Sequence, residues 1–189
     1  MTSLFIHNPR TAGTSMRNSL YGTDVVFLLP HSKQDTAIAR SIPNAKPIGG
    51  RSQHMPLAEM RSIWGAPFDT FFKFVFVRDP VERLVSWWRH MHAAKTRFDE
   101  YVVDKMDRDW IPEQNIFTHS NGKQAVDFIG RFSHLQEDWV ALCCILEIDP
   151  DPLSCENRSH PVAYLLADQF RRRIESKFAT DYELLSGYF

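Results

Sequence analysis

The feature that most constrains the fold is an apolar run in the middle of the chain, Phe71–Val77, in which Lys73 is the only polar residue. A strand of this composition needs cover on both faces, as in the centre of a parallel sheet between helices. Directly after Arg78, Asp79 is a suitable helix N-cap and Pro80 suits the first helical turn. The run therefore predicts a strand–turn–helix unit at the centre of an α/β fold.

The remainder of the chain alternates short apolar runs with amphipathic segments, which is typical of a parallel sheet covered by helices. Further strands are predicted at Leu4–His7, Val25–Leu29 and Phe128–Phe132. Helices are predicted from Thr14 or Ser15 onward, at Pro56–Trp64, through Trp139–Leu146 and at Pro161–Lys177. Short helices and loops are expected across Phe98–Gly122, and the apolar tail Tyr182–Phe189 should pack back on the body. We expect residues 1–189 to form a single α/β domain with a central parallel sheet flanked by helices.

Charge and cysteine content exclude several classes of function. The 189 residues carry a net charge of −1, from 22 basic and 23 acidic side chains, which argues against a nucleic-acid-binding surface. The run Arg171-Arg172-Arg173 is expected on a solvated helix face. Cys143, Cys144 and Cys155 lack metal-type spacing and are expected to be buried thiols. No apolar run approaches the roughly 20 residues that span a bilayer, and the chain enters a strand almost at once, so we expect a cytoplasmic protein.

The segment between the first strand and the first helix has the composition of a phosphate-binding loop, and it reads Asn8-Pro9-Arg10-Thr11-Ala12-Gly13-Thr14-Ser15. Main-chain N–H groups at such a turn attract anions, Gly13 lets the main chain approach closely, and Arg10 can grip two phosphate oxygens. The same residues also suit an ordinary capped helix, with Thr14 or Ser15 as the cap. The spacing Gly-four residues-Gly-Lys-Ser/Thr is absent, which disfavours a kinase.

A second basic motif follows the central strand and reads Arg78-Asp79-Pro80-Val81-Glu82-Arg83-Leu84-Val85-Ser86. Ligands of open α/β sheets bind at the carboxyl ends of the strands, so Arg78 should share a rim with the first loop. Ser86 lies about two turns along the helix, within reach of a group near Arg78. We expect Arg83 to pair with Glu82 or Asp79 and brace the turn, with ligand contact as the alternative.

Together these stretches resemble the nucleotide-binding signatures of the sulfotransferase superfamily, above all the carbohydrate sulfotransferases that modify heparan, chondroitin and dermatan. Two further segments also resemble that family, Phe128–Phe132 with Leu135–Trp139, and Phe178–Tyr188. The resemblance implies a single α/β domain akin to P-loop nucleotide kinases. It also implies a donor, 3'-phosphoadenosine 5'-phosphosulfate, that binds without a metal. The resemblance favours a sugar hydroxyl as the acceptor.

The resemblance also assigns roles to residues. Donor binding falls to the loop and to the second motif, at Arg10, Thr11, Ala12, Gly13, Thr14, Ser15, Arg78 and Ser86. In the family the loop takes the 5'-phosphosulfate, while the arginine and serine of the second motif take the 3'-phosphate. The position of Arg10 usually holds a lysine that assists departure of the leaving group. Arginine keeps the charge but does not act as a proton donor, so Arg10 is expected to do electrostatic work only.

Sulfuryl transfer to a hydroxyl also needs a proton acceptor that works near neutral pH, which favours a histidine. Of eight histidines, His54 is the best candidate, because it follows a Gly-rich segment ahead of a predicted helix and related sulfotransferases place a catalytic histidine similarly. Alternatively, His54 only packs on that helix and Glu59 serves as the base. His7 is expected in the core or behind the site, and His90 and His92 on an exposed helix face.

Two other functions remain open, a P-loop-like small-molecule kinase and a non-catalytic nucleotide-binding protein. Acceptor choice is expected from the loops at Pro30–Arg51 and Lys95–Gln124, where Trp110 either stacks on a sugar or simply packs. The sequon Asn157-Arg158-Ser159 is expected to line the nucleotide pocket rather than to be glycosylated. The sequence predicts neither the acceptor nor the oligomeric state.

Overall fold

Four parallel strands form the central sheet of this computed structural model, which describes residues 2–27, 53–154, 164 and 166–189. The strands β1 (Ser3–Phe5), β2 (Val26–Phe27), β3 (Phe72–Val77) and β6 (Phe128–Arg131) lie in the order β2-β1-β3-β6. Each neighbouring pair is parallel. The apolar run that the sequence places at the sheet centre is therefore an interior strand, as predicted.

Helices cover both faces of this sheet. Phe74 and Phe76 of β3 point to one face, where they pack with Met16 and Trp139, and Val75 points to the other. This alternation follows from the two-residue period of a strand. The helices among the described residues are α1 (Gly13–Ser19), α2 (Leu57–Trp64), α3 (Ala66–Asp69), α4 (Pro80–Met91), α5 (Phe98–Asp104), α6 (Leu135–Leu146), α7 (Asp168–Lys177) and α8 (Ala179–Leu185).

The turn from β3 into α4 is built as its sequence predicts. The Asp79 carboxylate accepts a hydrogen bond from the Glu82 main-chain N–H at 3.0 Å, and Pro80 is the first helical residue. An N-cap of this kind stabilises a helix by about 1 kcal/mol. Because α4 is fixed at its first turn, residues further along it have a defined direction relative to the sheet edge.

Several predicted boundaries differ from the structure. The strand expected at Leu4–His7 is Ser3–Phe5, and of Val25–Leu29 the part Val26–Phe27 is a strand while residues 28 and 29 lie outside the described chain. The helix expected through Trp139–Leu146 begins earlier, at Leu135. The helix expected from Pro161 begins at Asp168, where a carboxylate in the first turn favours a helix start, and residues 161–163 are not described.

Between α5 and β6 the chain forms the expected short elements and one hairpin that the sequence analysis missed. Strands β4 (His119–Ser120) and β5 (Lys123–Gln124) pair antiparallel around Asn121 and Gly122, which both have positive φ. A short 3₁₀ turn lies in this stretch at Gln114–Phe117, and others lie further along the chain at Phe132–His134 and Ser186–Tyr188.

The C-terminal segment packs on the core as expected. Leu185 is fully buried, and Tyr188 and Phe189 pack against the same cluster. The thiol prediction is half correct, because Cys143 is buried whereas Cys144 is exposed, and Cys155 lies outside the described residues. No helix within the described ranges is long and apolar enough to cross a bilayer.

Candidate functional site

The main-chain conformation of the loop between β1 and α1 was not predicted from the sequence. Arg10 and Ala12 both adopt positive φ, at 67° and 63°, and Ala12 is the N-cap of α1 without a side-chain hydrogen bond. The helix thus begins at Gly13, so the expectation that Thr14 or Ser15 caps it is wrong. The two left-handed residues turn the loop sharply, and they leave Arg10 and Gly13–Ser15 along the wall of a cavity.

The Thr11 side chain faces away from that cavity, whereas Gly13 lines it. Thr11 is buried, and its hydroxyl donates a hydrogen bond to the Asn8 carbonyl at 2.8 Å. The Thr11 side chain therefore shapes the loop, and only its main chain remains for a ligand. Gly13 makes room for a neighbour, because a Cβ atom there would lie 2.0 Å from Nε2 of His7.

The cavity has a volume of about 780 Å³ and lies at the carboxyl edge of the sheet, within the range of small-molecule sites. Arg10 comes from the loop after β1, and Arg78 and Ser86 come from the β3–α4 unit. Nε of Arg10 donates a hydrogen bond to Oγ of Ser86 at 3.1 Å. Two stretches that are distant in sequence thus close around one space, as the strand-end rule predicts.

Arg78 is held from several sides. Its guanidinium stacks on the Phe132 ring, 3.9 Å from the centroid, and Nε lies 3.3 Å from an Oε2 of Glu82. The Gln114 side chain accepts from the Arg78 N–H at 3.0 Å and donates to the Arg78 carbonyl at 2.7 Å. The side chain is therefore oriented toward the cavity before any ligand arrives, which reduces the entropy cost of binding.

The charges around the cavity are of one sign. Among the described residues that line it, Arg10, Arg78 and Arg89 are cations, His7, His54 and His90 are imidazoles, and none is a carboxylate. Burial and the neighbouring Arg78 lower the pKa of Arg10, and burial lowers the pKa of Arg78 against the opposing effect of Glu82. Guanidinium groups nevertheless stay protonated at neutral pH, so an anionic ligand is the natural partner of this wall.

His54 lies on the same wall, just ahead of α2. Its Nδ1 is 2.9 Å from the His7 carbonyl oxygen, and since that oxygen only accepts, Nδ1 carries the proton. The lone pair is then on Nε2, which lies 3.2 Å from Nε2 of Gln53. Burial lowers the pKa of His54, with Arg10 and Arg17 acting in the same direction and the His7 hydrogen bond opposing them. The ring is therefore neutral at pH 7, with Nε2 as its acceptor atom.

The other candidate bases lie in different surroundings. His7 is buried, as expected, although it also lines the cavity, and burial holds its pKa well below the ordinary value. His90 was expected to lie on a plain exposed face, but it lines the cavity, because it follows Ser86 by one helical turn. His92 is bonded to Asp109 at 2.6 Å. Glu59 is on α2 and does not line the cavity.

Trp110 lies beside the candidate base. Its ring centroid is 6.2 Å from that of His54, and about half of the side chain is exposed. The half-exposed ring is therefore not a core residue. The other segments expected to choose the acceptor or line the pocket, Pro30–Arg51 and Asn157–Ser159, lie outside the described residues.

A buried polar network behind the cavity was not predicted. Arg83 was expected to pair with Glu82 or Asp79, but it points inward instead, where it donates to Oδ1 of Asn8 at 3.2 Å and lies 3.8 Å from Asp181. Oδ1 of Asp181 accepts from the Gln114 N–H at 2.6 Å. The alternative role considered for Arg83, contact with a ligand, is also not supported, because Arg83 does not line the cavity.

No group of three or more His, Cys, Asp or Glu side chains that could hold a metal ion occurs within residues 2–27, 53–154, 164 and 166–189. The cavity wall offers cations and hydroxyl groups instead. These groups suit phosphate or sulfate oxygens.

Comparison with known protein families assigns this chain to one of them. The model of the sulfotransferase family matches residues 5–188, which include both basic motifs and His54. No curated protein and no solved structure gives a significant match.

Proposed function

Because this chain belongs to the sulfotransferase family, we propose that it transfers a sulfuryl group from 3'-phosphoadenosine 5'-phosphosulfate to a hydroxyl group of a carbohydrate. The observation that carries the proposal is the cavity shared by Arg10, Arg78 and Ser86. Arg10 and Arg78 come from separate motifs and suit a ligand with anionic groups at two positions. The donor is such a ligand, since it bears a 3'-phosphate and a 5'-phosphosulfate on one nucleoside.

In this proposal the two motifs divide the donor between them. Arg10, Ala12, Gly13, Thr14 and Ser15 bind the 5'-phosphosulfate with side-chain and main-chain donors, whereas Thr11 contributes its main chain alone. Arg78 and Ser86 bind the 3'-phosphate. The hydrogen bond from Arg10 to Ser86 supports a short separation between the two subsites.

His54 is the proposed base. The acceptor hydroxyl attacks sulfur while its proton passes to Nε2 of His54, and the bond between sulfur and the bridging oxygen breaks. The electron pair leaves on the phosphate oxygen, so adenosine 3',5'-bisphosphate is the second product. Arg10 stabilises the charge that develops on this oxygen, and as a guanidinium it acts without transferring a proton. The tautomer with Nδ1 bonded to His7 supports this role, since it leaves Nε2 to accept.

The finer parts of the proposal rest on the resemblance of the motifs. A sugar acceptor is supported by the half-exposed Trp110 beside His54, because an aromatic face can stack on a sugar ring. Absence of a metal requirement and a cytoplasmic location stay predictions from the sequence. Transfer of label from the donor to a panel of sugars and small alcohols would identify the acceptor.

Nucleotide selectivity tests the proposal. Adenosine 3',5'-bisphosphate should raise the melting temperature of the protein more than ATP at equal concentration, since the 3'-phosphate meets Arg78 and Ser86. Arg78→Met should weaken bisphosphate binding roughly 10- to 100-fold, the usual effect of losing a charge-assisted hydrogen bond. Arg97→Met is the matched control, because Arg97 forms an exposed ion pair with Asp99.

The alternative functions predict other results. A small-molecule kinase would bind ATP at least as well as the bisphosphate and turn it over with magnesium. A non-catalytic nucleotide-binding protein would bind the donor without transfer to any acceptor. Equal or greater stabilisation by ATP would contradict the proposed donor.

A further inference from the structure

The base candidate belongs to a chain of hydrogen bonds that begins on α1. Nη1 of Arg17 donates to Oε1 of Gln53 at 2.9 Å, and Nε2 of Gln53 lies 3.2 Å from Nε2 of His54. On the far side of the ring, Nδ1 of His54 donates to the His7 carbonyl at 2.9 Å. Three side chains and one main-chain group are thus connected in sequence.

The direction of every bond in this chain is determined. Arginine has donors only, so the Gln53 atom that faces Arg17 is the carbonyl oxygen and the atom that faces His54 is the NH₂ group. The His7 carbonyl only accepts, so the His54 proton is on Nδ1. Gln53 therefore donates to the lone pair on Nε2 of His54.

Protonation of His54 would break this arrangement. A proton on Nε2 would point at the Gln53 NH₂ group, and two donors would meet. Gln53 could relieve the conflict by turning its amide over, but its NH₂ group would then face the Arg17 guanidinium. Arg17 thus prevents the rearrangement that would accommodate a charged imidazole.

We propose that Gln53 and Arg17 are positioning residues that hold His54 in its neutral form with the lone pair on Nε2. This proposal rests on the proposed function in one respect, namely that His54 acts as the base. The Nε2 lone pair also has to receive the acceptor proton, so the acceptor hydroxyl replaces the Gln53 amide when it binds.

Other groups act on the same ring and set the background. Among the described residues these include His7 after β1, Arg10 in the loop and Arg17 on α1. The His7 ring lies 4.4 Å from that of His54, edge to face, and burial keeps it neutral. Arg10 and Arg17 both lower the pKa of His54 through their charge. The test must therefore separate this direct effect of Arg17 from its effect through Gln53.

Histidine ring NMR on the free protein, without nucleotide or acceptor, provides that test. The ring signals of His54 are assigned by their loss in His54→Gln. The wild type should show the tautomer with the proton on Nδ1. Gln53→Met should raise the pKa of His54 by about 0.5 to 1, the usual worth of one hydrogen bond to the neutral form. Gln53→Ala is measured in parallel, so that the result does not depend on one variant folding.

A double-mutant cycle separates the two effects of Arg17. Arg17→Met should raise the pKa of His54 in the wild-type background and raise it less in the Gln53→Met background, since part of its action passes through the amide. Arg61→Met, which removes an exposed ion pair with Asp69 on neighbouring elements, should leave the pKa of His54 unchanged. The proposal is overturned if the pKa stays constant or falls in both Gln53 variants, if the proton is on Nε2, or if the Arg17 and Gln53 effects add fully.

Activity gives an independent reading. If His54 is the base, the acid limb of kcat/KM should move to higher pH in Gln53→Met by the same amount as the NMR pKa. An NMR shift without movement of the acid limb would retain the positioning role and reject His54 as the base. Failure of the two hypotheses is therefore distinguishable.

Discussion

The protonation of His54 results from opposing effects on one ring. Burial and the charges of Arg10 and Arg17 favour the neutral form, whereas the hydrogen bond to the His7 carbonyl favours the charged form. Burial and the two arginine charges together outweigh the hydrogen bond to His7, so the pKa of His54 is below its ordinary value. A neutral imidazole at pH 7 is the form that a general base requires.

His54→Gln should reduce kcat roughly 10²- to 10⁴-fold, because glutamine keeps hydrogen-bonding groups but accepts no proton at neutral pH. Affinity for adenosine 3',5'-bisphosphate should be largely retained, since the arginines and Ser86 are untouched. Calorimetric titration and initial rates measure the two effects separately. Unchanged turnover would remove His54 from the base role.

The pH dependence of the wild type follows from the same pKa. The active form is neutral His54, whose pKa is below 6.5, so kcat/KM should be constant through pH 7 and fall only at more acidic pH. A pH series of initial rates at low acceptor concentration measures this limb. A limb above pH 7 would contradict the assignment.

The unit formed by β1, its loop and α1 depends on a close contact between a glycine and a histidine. The His7 ring packs over Gly13 on one side and stacks on Phe5 on the other, at 5.6 Å between centroids. The His7 carbonyl in turn orients His54. A change at the start of α1 should therefore reach His54 through His7.

Gly13→Ala should destabilise the protein by about 1–3 kcal/mol, because its Cβ would lie 2.0 Å from the His7 ring and a buried ring has little room to move. In an open helix the same change would stabilise, since alanine is the better helix former. Gly187→Ala is the control, because nothing lies within 4 Å of a Cβ there. Urea unfolding of both variants measures the difference, and equal stabilities would contradict the packing argument.

The sequence predicted those elements whose signals are local. Asp79 and Pro80 predict where α4 begins. The rule that ligands bind at the carboxyl ends of strands predicts that Arg10 and Arg78 lie at the same edge of the sheet. The start of α1 was missed because Ala12 adopts a left-handed conformation for which alanine carries no signal. The β4–β5 hairpin had a signal, since Asn-Gly is a preferred hairpin turn, and reading Asn121-Gly122 this way would have found it.

The residues of the buried network behind the cavity could not be predicted from the sequence, for a different reason. Gln114 belongs to no motif, and Asp181 lies near the opposite end of the chain from Asn8. Their contacts arise only once the chain is folded. The position of His90 is similar, since its helical face becomes part of a cavity only when the loop of Arg10 is placed opposite.

The buried network connects the beginning, the middle and the end of the chain. Arg83 on α4 contacts Asn8 after β1 and Asp181 on α8, and Gln114 bonds both to Asp181 and to Arg78. Burial lowers the pKa of Arg83 to about 10 and raises that of Asp181, while each charge favours the other. The pair is therefore retained at a desolvation cost, and its geometry specifies how the cavity wall sits on the core.

Arg83→Met should cost about 3–5 kcal/mol of unfolding free energy, because it leaves Asp181 buried without its cation and Asn8 without a donor. Asp181→Asn keeps an oxygen for the Gln114 N–H and should lose less unfolding free energy than Arg83→Met. The variant that carries both changes should lose less than the sum of the two single losses. Arg172→Met, at an exposed position on α7, is the control. Urea unfolding gives these values.

Bisphosphate affinity provides a second reading of the same variants. Arg83 does not line the cavity, yet the network fixes the main chain of Arg78 through Gln114, so affinity should fall in Arg83→Met under conditions where the variant remains folded. The loss should be smaller than in Arg78→Met, since the guanidinium itself is still present. A stability loss under about 1 kcal/mol together with unchanged affinity would show that the network neither supports the fold nor positions the site.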